Sequence, residues 1–588
     1  MTRPGGRVVS QVLAWSLVTA VLLAAGVTSV AQENGSAQRG LDIDPVEPPV
    51  PPPDQPAEET PPAPAPPGLV IPDVPGDYAG ERRLERVFVS RVQVQGNTVL
   101  PQGSIAAITA GYEQRELSFE ELEALRLALT RAYIEAGYVN SGVLLPDQDI
   151  SDGVLRMDVI EGKLQVVELS GNQHLRRTYI EDRLLPAPDQ PFNVRDFETS
   201  LRLMQQWPLV AQVNAELLPG RERGEMILDL KVQERDPFII AAGYDNHRPP
   251  SVGEDHFTIS AAHQSLTGNA DPFSVTYGYA DGADDWLVDY RRPLTARDLT
   301  VGLYYADGTS DIVEQPFDEL DIVTKTETWA VTLQQPVVRT LTQTLIAGVG
   351  FEHKESHSTL LSEPFSFSPG EQAGEAMVTS LSAFADWTLR RESDAVAVRA
   401  TLRQGVDWLD ATVNPGDLPD SEFTSLLLQA QYARRLPFWG SQFLARLTGQ
   451  LSSDSLLPVE RLAMGGATTV RGYRENLLVR DEGVIAGLEL RVPVFMNQAG
   501  ESRVGLTFVP FVDYGWAKDK AIGSIPGLEN PDGEDIASIG GGLIWNWWQW
   551  FYVEAYYGYA LTDEDSESQE SSLQEDGIHL LTTLRWSF

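Results

Sequence analysis

Residues 285–294 read DWLVDYRRPL, and their alternation decides what kind of molecule the chain forms. Successive side chains of a strand point to opposite faces, so Trp286, Val288 and Tyr290 fall on one side and Leu287, Asp289 and Arg291 on the other. A strand that is aromatic on one face and charged on the other suits a wall with lipid outside and water inside, a transmembrane β-barrel rather than a soluble sandwich. PFSVTYGYAD, LTVGLYYAD, ETWAVTLQQPV, EFTSLLLQAQYARRLP and YVEAYYGYAL repeat the pattern between Pro237 and the end. Sixteen such strands can be counted over 237–588, which leaves about 22 residues for each strand and its connection; a tilted spanning strand needs about 9–11.

The connections alternate in length. Short ones, at Arg391-Glu392 and around Phe438, take turns with long acidic ones at about 307–324, 354–373, 518–534 and 561–576. Short periplasmic turns and long outer loops accompany an outer-membrane barrel. The expected fold is therefore a transmembrane β-barrel of 16 antiparallel strands over 237–588.

Two smaller modules precede it. VFVSRVQVQGNTVLP, from Val87, reads as a strand ending in a Gly-Asn turn. Ser118 and Glu121 form a capping box ahead of a helical stripe of Leu122, Leu125, Leu129 and Tyr133, which Gly137 ends. VLLPDQ and VLRMDVIEG follow as strands. The same order returns in LQVVELSGNQ, RRTYIEDRLL, VRDFETSLRLMQQ, VAQVNAELLPG and EMILDLKVQE, with Asn193 as a helix cap and Phe197, Leu201 and Met204 as the stripe. Two βααββ modules of about 75 residues, at 86–162 and 163–236, are the economical reading.

The N-terminus predicts export. Arg3 and Arg7 precede the apolar run VLAWSLVTAVLLAAGV, and Ser29-Val30-Ala31 supplies small residues for cleavage, so 1–31 reads as a signal peptide rather than a permanent anchor. Fourteen prolines between Gln32 and Pro75 make 32–85 an extended spacer. A formal charge of −40 argues against binding to a nucleic-acid backbone, which needs a basic footprint. The absence of cysteine excludes disulfides, thiol nucleophiles and Cys-ligated zinc. His353 and His357 form an H-x-x-x-H in or beside an expected outer loop without a third ligand, and NPDGED at 530–535 lacks the rest of a calcium loop. No P-loop, dinucleotide fingerprint or nucleophile elbow appears. No enzyme site, cofactor or metal is expected.

One loop stands apart. TTVRGYRENLL, 468–478, carries Val470, Arg471, Gly472 and Tyr473 between the eleventh and twelfth expected strands, within an inserted segment at 454–481. FVPFVDYGWA supplies Phe511, Asp513 and Gly515 on the next strand but one. The chain ends GIHLLTTLRWSF, an alternating strand closed by Phe588.

With these parts in order, the chain resembles two-partner secretion transporters, also called haemolysin secretion/activation proteins, from the superfamily that joins periplasmic POTRA modules to a sixteen-stranded barrel. Gly137-Tyr138, Ser141, Pro146, Gln148 and Glu161-Gly162 match the family in the first module. Pro219-Gly220 and Gly224 match it in the second, and Asp245-Asn246 falls at the outer end of the first barrel strand. The resemblance implies that the Arg-Gly-Tyr tip folds back into the lumen and that Arg471 pairs with Asp513 of the F-x-D-x-G motif. It implies an outer-membrane pore in contact with lipid, with its modules in the periplasm, secreting a partner exoprotein of β-helical fold. Phe588, an aromatic C-terminus on an alternating strand, resembles the signal read by the outer-membrane assembly machinery, the alternative being an ordinary interfacial aromatic. A plug helix, common in the family, is not evident in QENGSAQRGLDID. The competing readings are an insertase that folds other barrels, which would usually carry more modules, and a passive porin, which would need none.

Overall fold

The computed structural model describes residues 86–187, 190–499, 502–522, 533–548, 550–562 and 572–588. The expected signal peptide, the proline-rich spacer and QENGSAQRGLDID lie outside the described residues, as does part of NPDGED. Two compact units are present, one ending at Arg235 and one beginning at Asp236.

In the first unit, Arg91–Gln95 runs parallel to Val154–Ile160, which pairs antiparallel with Gly142–Leu144. Two helices, Gln102–Thr109 and Phe119–Glu135, fill the connection. Ser118 and Glu121 close the longer helix with a reciprocal capping box, and its stripe Leu122, Leu125, Leu129 and Tyr133 is buried with Val92, Leu155 and Met157. The sequence reading missed one pairing: Val87–Val89 turns away at Ser90 and joins Arg115–Leu117 as a separate two-stranded ribbon. Three residues carry too short a period to be read in advance.

The second half repeats the plan. Lys163–Ser170 runs parallel to Glu225–Glu234, which pairs antiparallel with Val210–Pro219, and helices Arg177–Leu184 and Val194–Met204 lie between in sequence. Asn193 caps the latter helix through Arg195 N. In both halves the residue closing the last strand reaches back to the turn after the first. Glu161 accepts from the Thr98 and Val99 amides at 2.7 and 3.1 Å. Glu234 accepts from the Gln173, His174 and Leu175 amides at 3.0, 2.6 and 3.1 Å. Gly96 and Gly171, at φ +83° and +84°, permit those turns; a Cβ on either would stand 2.7 or 2.1 Å from a carbonyl oxygen of the last strand. Tyr133 donates its hydroxyl to Asn97. Burial, then the Glu161 charge, pushes its phenol above the ordinary value.

The second unit is a closed antiparallel barrel of sixteen long strands, with the two-residue strand Glu363–Pro364 added at one outer edge. It closes where the last strand, Ile578–Ser587, pairs with the first, Phe238–Asp245. Among the described residues the barrel register slips twice, between Pro336 and Val338 and between Pro493 and Phe495. Both slips sit at a proline, which has no N–H for the ladder. Trp286, Val331, Leu333, Val349, Tyr557 and Tyr559 are exposed on the outer face, where lipid would cover them.

Strand extent departs from the sequence reading. Ile322–Arg339 and Gln343–Leu360 run for 18 residues and Thr300–Asp311 for 12, so 307–311, 322–324 and 354–360, expected to be outer loop, are strand. Lys325 and Glu327 pair opposite His357 and Glu355. Polar residues on both faces are tolerated beyond the bilayer, where hydropathy no longer marks the strand end. His353 and His357 accordingly lie on strand Gln343–Leu360, with His353 Nδ1 2.7 Å from Thr379 Oγ1.

Candidate functional site

Residues 453–481 join Gln442–Ser452 to Glu482–Ala499. Within them Leu462–Met464 pairs with Leu478–Arg480 as a short hairpin. Gly465, Gly466 and Gly472 hold φ of +100°, +101° and +95°, a conformation L side chains rarely adopt, so the hairpin can reverse and present its tip. The apolar side chains Leu462, Met464, Val470, Tyr473 and Leu478 pack on Ile485, Ala517 and Ile536 of the wall.

Arg471 is 1 % exposed and Asp513 is 0 % exposed. Arg471 Nε donates to Asp513 Oδ2 at 2.7 Å and Nη2 to Oδ1 at 2.9 Å, a bidentate pair, and the Arg471 amide adds a third bond to Oδ2 at 3.2 Å. The lumen was expected to be wet at this point. Instead the pair is enclosed, because Phe511 lies beneath the guanidinium at 3.6 Å and Tyr556 stands 4.8 Å away. A guanidinium stacks favourably on an aromatic face while keeping its in-plane donors. Gly515 leaves the space the loop occupies: a Cβ there would stand 3.0 Å from Met464 Sδ and 3.1 Å from Val470 Cγ2. Each named position of F-x-D-x-G thus has a physical task at the loop.

Several contacts at the tip were not anticipated. Glu489 accepts from Arg471 Nη1 at 2.8 Å and is shared with Arg446 at 2.8 Å and Arg491 at 3.3 Å. Its signal in GLELRVPV was only a carboxylate among inward positions. The Gly472 amide donates to His579 Nε2 on the last strand at 3.1 Å. Tyr473 Oη donates to Ala537 O at 2.8 Å and accepts from the Thr562 amide at 3.1 Å. Arg474 adds a salt bridge to Glu314 at 2.7 Å. At the far end of the chain, Phe588 packs on Phe238 with ring centroids 5.0 Å apart, across the seam that closes the barrel.

Comparison with known families matches residues 224–530 to the family described as haemolysin secretion/activation protein ShlB/FhaC/HecB, and residues 87–162 to the POTRA domain of ShlB type. The outer membrane transporter CdiB of Dickeya dadantii is 27 % identical over 444 residues, 72 % of this chain and 75 % of the relative. The hemolysin transporter protein ShlB of Serratia marcescens is 23 % identical over 413 residues, 67 % of this chain and 70 % of the relative. The solved structure of CdiB from Escherichia coli covers 87 % of this chain and 92 % of its own, with a TM-score of 0.64 at 21 % identity. A closed sixteen-stranded barrel, a lumen loop and a family match spanning more than half the sequence lead to one assignment: the chain belongs to the haemolysin secretion/activation protein family, the outer-membrane transporters of two-partner secretion.

Proposed function

We propose that both modules, 86–162 and 163–236, are periplasmic POTRA domains that capture an unfolded exoprotein of β-helical type, which the 237–588 barrel then passes outward. The edges of the small sheets carry this reading. Arg91–Gln95 and Gly142–Leu144 each pair with one neighbour in the first sheet, as do Lys163–Ser170 and Val210–Pro219 in the second. An unpaired edge offers backbone donors and acceptors to an incoming strand, which supplies affinity with little demand on client sequence. Folding of the client outside would supply the driving force.

The tip residues Val470, Arg471, Gly472 and Tyr473 hold the loop in the pore, with Phe511, Asp513 and Gly515 as its seat on the wall. Phe588 presents the last strand to the outer-membrane assembly machinery, since it is exposed directly after the alternating strand Ile578–Ser587 at the closing seam. The test is deletion of 86–162: client export should cease while a heat-modifiable barrel still reaches the outer membrane. Export at the normal level after that deletion would refute capture by the modules.

A further inference from the structure

The stem of the lumen loop, residues 453–461 ahead of its short hairpin, is fastened to a different part of the wall from its tip. Lys354, on strand Gln343–Leu360, is 0 % exposed, and its Nζ donates to Glu460 Oε1 at 2.8 Å with Glu352 Oε1 at 3.4 Å. Glu460 lies in the stem, is buried, and also accepts from Arg403 Nη1 at 3.2 Å, on strand Asp394–Val406. Around this group Leu456 and Leu457 pack with Ala376, Val378 and Phe423. The Arg471 cluster has its acidic partners on Glu482–Ala499 and Ser502–Lys518. In the order of the barrel, strands Asp394–Val406 and Glu482–Ala499 are separated by Thr424–Arg435 and Gln442–Ser452.

A charged set is an expensive way to hold an apolar stem in place. Taking a lysine and a carboxylate out of water costs about as much as their attraction returns, and a well-packed apolar pair would hold at least as firmly. The two designs differ on release. Separated ions regain their hydration once water or a polar chain enters, whereas separated apolar groups gain nothing. Charges here favour a contact that is closed when dry and opens at modest cost.

We propose that Lys354 is a positioning residue which, with Glu460 and Arg403, forms a second latch on the loop, holding the stem independently of the Arg471 site and releasing it when the lumen is wetted by a client. The proposal rests on the secretion reading for its client. Its test needs no client, so the two fail separately.

The full-length protein is reconstituted in planar bilayers as wild type, as Lys354→Arg, and as Lys354→Met combined with Glu460→Gln. The double change removes the Lys354–Glu460 charge pair without stranding Glu460, and Glu352 alone loses its lysine; heat-modifiable migration checks that the barrel has formed. Longer or more frequent openings, several-fold above wild type, are expected in the double variant, with wild-type behaviour in Lys354→Arg. Because the chain has no cysteine, Leu457→Cys reports on the stem and Val470→Cys on the tip through their rates of thiol labelling. Labelling should rise several-fold at 457 and stay slow at 470. Unchanged openings and labelling in a folded double variant would overturn the latch, and equal acceleration at both cysteines would overturn its independence from the tip.

Discussion

Gly472 and Gly558 lie backbone to backbone: a Cβ on Gly472 would stand 2.8 Å from Gly558 C, and a Cβ on Gly558 would stand 2.6 Å from Gly472 N. The tip of the lumen loop is therefore seated on the main chain of the wall. Gly577 extends the seat, since a Cβ there would stand 2.1 Å from Gly558 O. The nearest atoms are backbone in each case, so no side chain could yield to make room.

Gly558→Ala should consequently unseat the tip. Overpacking of this kind costs about 1–3 kcal/mol, and Gly558 keeps its ladder bond to Gly577 O whatever its side chain. A barrel that still migrates as a folded species but secretes poorly is expected. Gly505→Ala, where the nearest atom would be 3.7 Å away, should secrete normally. Equal secretion by both variants would show that close seating of the tip is unnecessary.

The two partners in the Arg471–Asp513 pair should not be equivalent. Asp513→Ala leaves Arg471 bonded to Glu489, whereas Arg471→Ala leaves Asp513 buried without its cation. Breaking a buried pair costs about 3–5 kcal/mol when one charge is stranded. Arg471→Ala should lower the unfolding temperature of the barrel more than Asp513→Ala, and the double variant should fall less than the two singles added together. Arg471→Lys should rescue little, because one ammonium cannot serve Asp513 bidentately and reach Glu489 as well. Additive shifts would mean that these residues act separately.

In the modules, Glu161→Ala and Glu234→Ala each strip the acceptor from a turn at the end of the first strand. Leaving those amides unmade should cost about 1–3 kcal/mol of local stability. Hydrogen exchange in the full-length protein should speed up at 97–100 for the first variant and at 172–175 for the second, with barrel amides unchanged. Tyr133→Phe loses one hydroxyl donor and should cost about 1 kcal/mol.

Removing Phe588 takes away both the ring that packs on Phe238 and an amide bonded to Phe238 O at 3.0 Å. The fraction of protein recovered as folded barrel in the outer membrane should fall several-fold. Full recovery would place the assembly signal elsewhere on the last strand.

Much of this architecture was legible in advance because lipid enforces a rule on single residues. Trp286, Val288 and Tyr290 had to alternate with Leu287, Asp289 and Arg291 if one face met hydrocarbon. Where lipid ends, the rule lapses, which is why 307–311 and 354–360 looked like loop and proved to be strand. The Arg471–Asp513 contact was reachable from motif resemblance. Glu489, His579 and the Gly472–Gly558 seat were not, since they join positions 18, 107 and 86 residues apart with no local signal.

The sequence by itself determined the dyad of the barrel wall, the number of its strands, the capped helices of the modules and the Arg-Gly-Tyr loop. Each follows from periodicity, capping or a turn residue, properties that a few neighbouring positions express together. Only the tertiary structure decided that Glu489 joins the Arg471–Asp513 pair and that Glu460 meets Lys354 and Arg403 on another part of the wall. A buried ion cluster is specified by closure of the barrel, which brings wall charges from distant strands around the loop; before closure each of those residues is one more hydrated charge in an acidic chain.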